Sequence, residues 1–339
     1  MERKIFGNLN SEIPVYSFKL DNGNIFIEVI TYGAILKSFG LCDGERKNII
    51  GSFDTLMDYL EDTSFQGAII GRVANRIEDA RFTIDGVEYN LPKNDGENCL
   101  HGGVGFNTRV WTVEKVGESY IELSYYSEDG EAGFPGGLKV YVTYSLVGSA
   151  LVIDYKAYPE KKTPIALTNH SYFNLSGMGG DIYSHEMSIY ADRYTEVNAA
   201  LIPTGERPSV NGTPYDLREP RLLGETLKSN FGGYNHNYRL TPTEYKKFSD
   251  TELGLVAKVT CGNTCLSMYT NMRDLQFYSG NNMTGYPDFS GGVKRINHGA
   301  FCLEAQTEPN AVNSGQAIYD KGEIYRQTTV YKLEKIKDN

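Results

Sequence analysis

Dense turn punctuation between short alternating runs is the feature that most restricts this chain. Asn-Gly or Asp-Gly pairs occur at Asn22, Asp43, Asp85, Asp95, Asp129 and Asn211, and such pairs suit the positive-φ positions of tight hairpin turns. In RFTIDGVEYNL, Phe82 and Ile84 alternate with other residues before the turn, and Val87 and Tyr89 do so after it. The same period of two runs through YIELSYYS (120–127), LKVYVTYSLV (138–147), LVIDYKAY (151–158) and CLSMYT (265–270). Successive side chains of a strand point to opposite faces, so each run reads as a half-buried strand. Helical periodicity is scarce: DTLMDYLED (54–62) and EPRLLGETL (219–227) can each hold a short helix or turn. The pattern predicts an all-β fold of many antiparallel strands, sandwich or barrel. No linker, repeat or composition shift marks a boundary, so residues 1–339 read as a single domain.

Charge and cysteine usage remove several function classes. The chain carries 33 basic and 43 acidic residues, a net charge of −10, and its basic residues cluster no further than pairs such as Lys161-Lys162 and Lys246-Lys247. Phosphate contacts supply most nucleic-acid affinity, so no nucleic-acid partner is expected. No apolar run approaches the roughly 20 residues that cross a bilayer. The opening MERKIFGNLNSEIP lacks the apolar stretch of a secretory signal. The cysteines at 42, 99, 261, 265 and 302 are odd in number and irregularly spaced, which favours free thiols and a cytoplasmic protein. CGNTC (261–265) has no second cysteine pair to complete a zinc knuckle. Tyrosine is abundant, 25 residues against the single Trp111, and suits strands and polar-rimmed clefts.

Five segments offer chemistry. TNHSYFNLSG (168–177) puts His170 inside what reads as a buried strand, with Thr168, His170 and Tyr172 on one face and Asn169, Ser171 and Phe173 on the other. Ser171 therefore cannot serve His170 as a nucleophile, and with no G-x-S-x-G in the chain a serine hydrolase is disfavoured. Alone, His170 reads first as a half-buried histidine satisfied locally. ENCLHGGVGF presents His101 before two glycines, and GGYNHNY sets His236 beside Asn235. FCLEAQTEP places Glu304 in an apolar strand, sharing a face with Cys302 and Gln306. Burial there raises a carboxyl above its ordinary value, toward useful general-base strength; an edge strand with Glu304 in water is the alternative. GRVANRIEDAR carries Arg72, Arg76 and Arg81, with Asn75 adjoining Arg76. A guanidinium fork can orient a hydroxyl or carboxylate, although such a run is often a solvated face. Three histidines and a glutamate admit zinc, but none of the close ligand spacings of zinc motifs occurs, and no metal is expected. GGVGF and GNNMTG lack the lysine and the strand–helix context of a phosphate loop.

Taken together, GRVANRI (71–77), LHGGVGFNTRVW (100–111), GEAGFPGGLKVYVTYSL (130–146), TPIALTNHSYFNLSG (163–177), IPTGERPSVNGTPYDLREP (202–220), QFYSGN (276–281) and FCLEAQTEPNAVN (301–313) resemble, in order and nearly end to end, the aldose 1-epimerase (galactose mutarotase) family. The resemblance implies a large antiparallel β-sandwich with a sugar cleft on one concave face. It implies interconversion of the α and β anomers of a free aldohexose such as galactose or glucose, without cofactor or metal, by a monomer or homodimer. Glu304 is then the base at the C1 hydroxyl and His170 the acid at the ring oxygen O5. His101 would stand near the reacting centre, and Asn75, Arg76, Asn235 and Gln276 would hold sugar hydroxyls. Ring opening moves one proton off O1 and one onto O5, so groups in opposite protonation states must flank the hemiacetal, as a carboxylate and an imidazolium do. One departure stands out. The family's segment usually reads Asp-His-Asn, whereas here it is Asn235-His236-Asn237, which trades a charge-assisted bond for a neutral one. A non-catalytic sugar-binding protein of the same fold is a rival reading. So is an epimerase for a disaccharide or a phosphosugar, the last drawing on Arg72, Arg76 and Arg81.

Overall fold

Alternation sorts the side chains into one set for each face of the sheets. The computed structural model describes residues 2–10, 12–44, 46–285 and 287–336. Among these the largest sheet has ten strands. Its path runs Thr112–Val116, Tyr120–Ser127, Leu138–Val147, Ala150–Pro159, Tyr325–Lys335, Thr264–Thr270, Thr251–Cys261, Glu186–Ile189, Arg221–Leu222, with Tyr245–Phe248 beside Thr251–Cys261. A four-stranded sheet spans the segments from Glu2–Asn8 to Ile35–Leu41. A five-stranded sheet comprises β1 (Tyr172–Phe173), β2 (Ala191–Tyr194), β3 (Asn235–Leu240), β4 (Asp274–Tyr278) and β5 (Phe301–Gln306), in the order β1-β5-β4-β3-β2. All the strand pairs within these sheets are antiparallel, as the alternation predicts. The α-helices among the described residues, Leu56–Glu61 and Leu223–Leu227, fall in the two expected segments. No helix among the described residues is long and apolar enough to cross a membrane.

The Asp85-Gly86 pair makes the tight turn its chemistry suggests, with φ of 51° and 80° and Ile84 opposite Val87. Two longer hairpins turn instead at Gly148-Ser149 and Gly262-Asn263, pairs that a search for Asn-Gly and Asp-Gly passes over. In the second, Cys261 lies opposite Thr264 and Cys265 opposite Thr260. Their side chains therefore leave opposite faces, and all five cysteines are free.

The five-stranded sheet packs one face on the ten-stranded sheet. Phe173, Tyr238, Leu275, Phe277, Phe301, Leu303 and Ala305 share a buried cluster with Met268, Tyr331 and Leu333. Tyr331 donates to the Leu303 carbonyl at 2.8 Å, and its ring lies 5.0 Å from that of Phe173. Burying each of the leucine, phenylalanine and methionine side chains contributes about 1.5–3 kcal/mol. The opposite face of β3, β4 and β5 carries Asn235, Asn237, Gln276, Tyr278, Cys302 and Glu304, and it is this face that builds the cleft.

Two sequence expectations are corrected. TNHSYFNL is not one strand. Thr168–Asn169 pairs with Ile69–Ile70, and β1 pairs with β5; between them the His170 amide donates to the Ala68 carbonyl and the Gly67 amide to the His170 carbonyl, each at 2.9 Å. The chain changes partner at His170. Arg72 is not a solvated or cleft-lining cation. It is buried, and its guanidinium donates to Ser127, to the carbonyls of Glu128 and Pro135, and to Thr163 Oγ1. Arg81 is exposed and pairs with Asp79 and Glu88. Removing the Arg72 donors strands several buried acceptors. Arg72→Met is therefore expected to lower unfolding stability by about 3 kcal/mol or more, seen as a fall in the urea midpoint at unchanged m-value. A wild-type midpoint would contradict the structural role.

Candidate active site

In the register of the small sheet, Asn237, Gln276 and Glu304 lie side by side across β3, β4 and β5. Tyr172 opposes Cys302, so continuing that register by one pleat sets His170 level with Glu304. Loops complete the walls. His101 has φ of 54°, followed by Gly102 at 76° and Gly103 at 70°. A Cβ on Gly102 would stand 2.4 Å from the Gly71 carbonyl oxygen, so glycine is required for this loop to close on the neighbouring segment. The closure is locked reciprocally. The Asn75 amide donates to His101 Nδ1 at 3.1 Å, and the His101 amide donates to the Asn75 carbonyl at 3.0 Å.

The result is a cleft of about 330 Å³ whose lining includes Asn75, Arg76, His101, His170, Asn235, Gln276 and Glu304, the seven residues that the family resemblance assigned to the site. His236 is elsewhere. Alternation turns it to the other side of β3, where it packs against Tyr215, Tyr194 and Phe231. Sequence reasoning missed Phe65, Tyr172, Tyr278 and Arg295, which also line the cleft. The Phe65 ring centroid lies 4.6 Å from His101 and 5.9 Å from His170. Its loop is tied down by a buried Asp62–Arg295 ion pair at 3.1 Å. No periodicity marks Phe65 and Arg295, which sit on irregular loops, whereas Tyr172 and Tyr278 lie in β1 and β4.

Burial dominates the electrostatics. It pushes the Glu304 carboxyl up to about 8, with Arg76 acting in the opposite direction. It lowers His170 to about 4, opposed by the ring's own backbone and by Asp62. His101 is lowered well below the usual imidazole value by burial, helped by His170 and Arg76. His170 Nε2 and Glu304 Oε2 are 3.7 Å apart, too far for a hydrogen bond. Glu304 Oε2 and Gln276 Oε1 are buried without a hydrogen-bond partner among the described residues. Buried polar atoms rarely go unpaired, and both oxygens are free to accept a hydrogen bond from a group in the cleft. The other end of Gln276 is fixed by donation from Nε2 to Asn235 Oδ1 at 2.8 Å. Arg76 is held through Nε by Asp95 at 2.7 Å.

His101, His170 and Glu304 bring ligating atoms within 4.8 Å of one another, a composition that suits a transition metal. The tautomer argues otherwise. Since His101 Nδ1 accepts the Asn75 N–H, the neutral ring carries its proton on Nε2 and has no lone pair to offer there. A metal-bound histidine instead donates through its second nitrogen. Zinc titration by calorimetry should accordingly show no stoichiometric binding at micromolar concentration; tight binding abolished by His101→Ala would overturn this tautomer.

Glu304 also predicts a pH-dependent stability. Its folded value of about 8 lies above the ordinary 4.5, so between those values the folded chain binds more protons than the unfolded one. The stability contributed by this group is full below the lower value and declines as pH rises to the upper. Glu304→Gln removes the decline, so its Tm should gain on wild type steadily from pH 5 to pH 8. A difference that stayed flat with pH would contradict a buried, proton-retaining Glu304.

The comparisons with known proteins fit this geometry. The aldose 1-epimerase family profile matches residues 16–332. Galactose mutarotase of Rattus norvegicus is 41% identical over 342 residues, covering 98% of each chain. Aldose 1-epimerase of Escherichia coli K12 is 31% identical over 328 residues, 92% of this chain and 93% of that one. The crystal structure of galactose 1-epimerase from Lactobacillus acidophilus matches with a TM-score of 0.87 at 26% identity, covering 99% of both chains. This chain belongs to the aldose 1-epimerase family.

Proposed function

We propose that the protein interconverts the α and β anomers of a free aldohexose, galactose or glucose, by opening and reclosing the pyranose ring, with Glu304 as base and His170 as acid. The observation that carries the reading is the buried pair itself: Glu304 Oε2, without a hydrogen-bond partner among the described residues, 3.7 Å from His170 Nε2 in the lining of one polar cleft.

In this mechanism the carboxylate takes the proton from O1 as the O1–H electrons form the C1 carbonyl. The C1–O5 bond breaks onto O5, which receives the proton on His170 Nε2. Rotation about C1–C2 presents the other face of the carbonyl, and closure returns each proton to its donor. Opening turns an ion pair into two neutral groups, which is the direction burial favours. The pair holds one proton in either arrangement, so a resting neutral pair reaches the active ion pair by internal transfer alone. Hydrogen bonds from sugar hydroxyls to the carboxylate favour its charged form. His101 donates through Nε2, Gln276 Oε1 accepts a hydroxyl, and Asn75, Arg76 and Asn235 hold others. A free sugar is favoured over a phosphosugar because Arg72 and Arg81 lie outside the cleft and both cleft arginines, Arg76 and Arg295, are already paired. The five free thiols agree with residence in a reducing compartment such as the cytoplasm.

Polarimetry on freshly dissolved α-D-galactose and α-D-glucose tests the reading. Wild type should speed the approach to equilibrium, and Glu304→Gln should lose about 10²- to 10⁴-fold in kcat; a wild type no faster than buffer on both sugars would overturn it. The pH profile of kcat/KM should hold a plateau between about 4 and about 8. Below it the pair gains a second proton and above it loses its only one, so activity falls on both sides.

A further inference from the structure

Beyond the acid and the base, one buried side chain touches the reacting pair and has no role in the scheme above. Cys302 lies one pleat from Glu304 on the same face of β5, so a single strand supplies a neighbour for each nitrogen of the His170 ring. Glu304 stands 3.7 Å from Nε2, and Cys302 Sγ stands 3.7 Å from Nδ1, within reach for a sulfur hydrogen bond. We propose that Cys302 is the positioning residue of the acid: its sulfur accepts the Nδ1–H of His170, fixes that tautomer, and leaves Nε2 as the nitrogen whose proton comes and goes.

The inference rests on the acid role proposed for His170, and the chemistry of the cycle supports it. An imidazolium carries protons on both nitrogens. When Nε2 gives its proton to O5, the neutral ring keeps the one on Nδ1, so the neighbour of Nδ1 must accept a hydrogen bond in both states. A carboxylate there would accept strongly and stabilise the imidazolium, weakening the acid. A sulfur accepts weakly, which orients the ring while leaving it a strong acid. The thiol itself stays protonated, since burial first and the nearby Glu304 second raise it, against a smaller opposing hydrogen bond with Tyr172. The other titratable groups facing the ring are His101, Tyr172 and Asp62. None of them is hydrogen-bonded to Nδ1.

Two measurements decide the matter. In wild type, ¹⁵N NMR of His170 in its neutral form should report a protonated Nδ1, and a protonated Nε2 would overturn the proposal even if mutarotation is observed. In kinetics, Cys302→Ala should lower kcat about tenfold or more with KM within about twofold, since the lost interaction orients an acid used in the transition state. Cys302→Ser, nearly isosteric and a better acceptor, should recover much of kcat while moving the acid limb of the pH profile upward. Wild-type kcat and an unmoved acid limb in both variants would also overturn it. If Cys302→Ala fails to fold, the serine variant and the NMR tautomer still give the answer. A wild type without activity on any aldose would sink the functional reading instead, leaving the tautomer measurement to judge Cys302 by itself.

Discussion

Period-two alternation in β3, β4 and β5 divides one thin sheet between two incompatible environments. One face surrenders Leu275, Phe277, Leu303 and Ala305 to the core beneath the ten-stranded sheet. The other holds Asn237, Gln276 and Glu304 in one cross-strand row. A slip of one residue in any of these strands would exchange its two sets, and in β5 it would bury the Glu304 carboxylate among phenylalanines while opening the core. The burial that holds the register therefore also holds this polar row. The core cannot loosen without moving the cleft.

The same arrangement explains why the pair is poised near neutrality. Two opposite charges in a dry cleft are expensive to desolvate, and their attraction offsets that only with good geometry. Here the gap is too long for a direct hydrogen bond, and Phe65 covers the two imidazoles, so each group alone prefers to be neutral. A reaction that discharges the ion pair as the ring opens, and restores it as the ring closes, passes between two states of equal proton count. The remaining contacts serve orientation. Asn75 sets the tautomer of His101, Asn235 turns Gln276 so that its oxygen is free, and Asp95 holds Arg76.

Much of this was legible beforehand, and the misreadings have physical causes. The strand segments came through because alternation is a local consequence of strand geometry. Glu304 was legible because a charged residue inside an apolar strand is a local anomaly. Arg72 was misread as one of a solvated or substrate-facing trio, because its six hydrogen bonds go to residues 127 to 163, which no local pattern reveals. The break at His170 was missed for a like reason. The segment looks uniform, but its two halves pair with strands distant in sequence, Ile69–Ile70 and Phe301–Gln306.

By itself, then, the sequence determined that the alternating segments such as 120–127, 138–147 and 151–158 are strands, which of their residues share a face, and which side chains carry acid–base character. Those properties follow from backbone geometry and side-chain chemistry over a few residues. Only the tertiary structure decided that His101 and His170 meet Glu304 while His236 does not, that Phe65 and the Asp62–Arg295 pair close the wall, and that the pair is dry enough to hold its proton near neutral pH. Those depend on register between distant strands and on exclusion of water, and both are set by the packed chain as a whole.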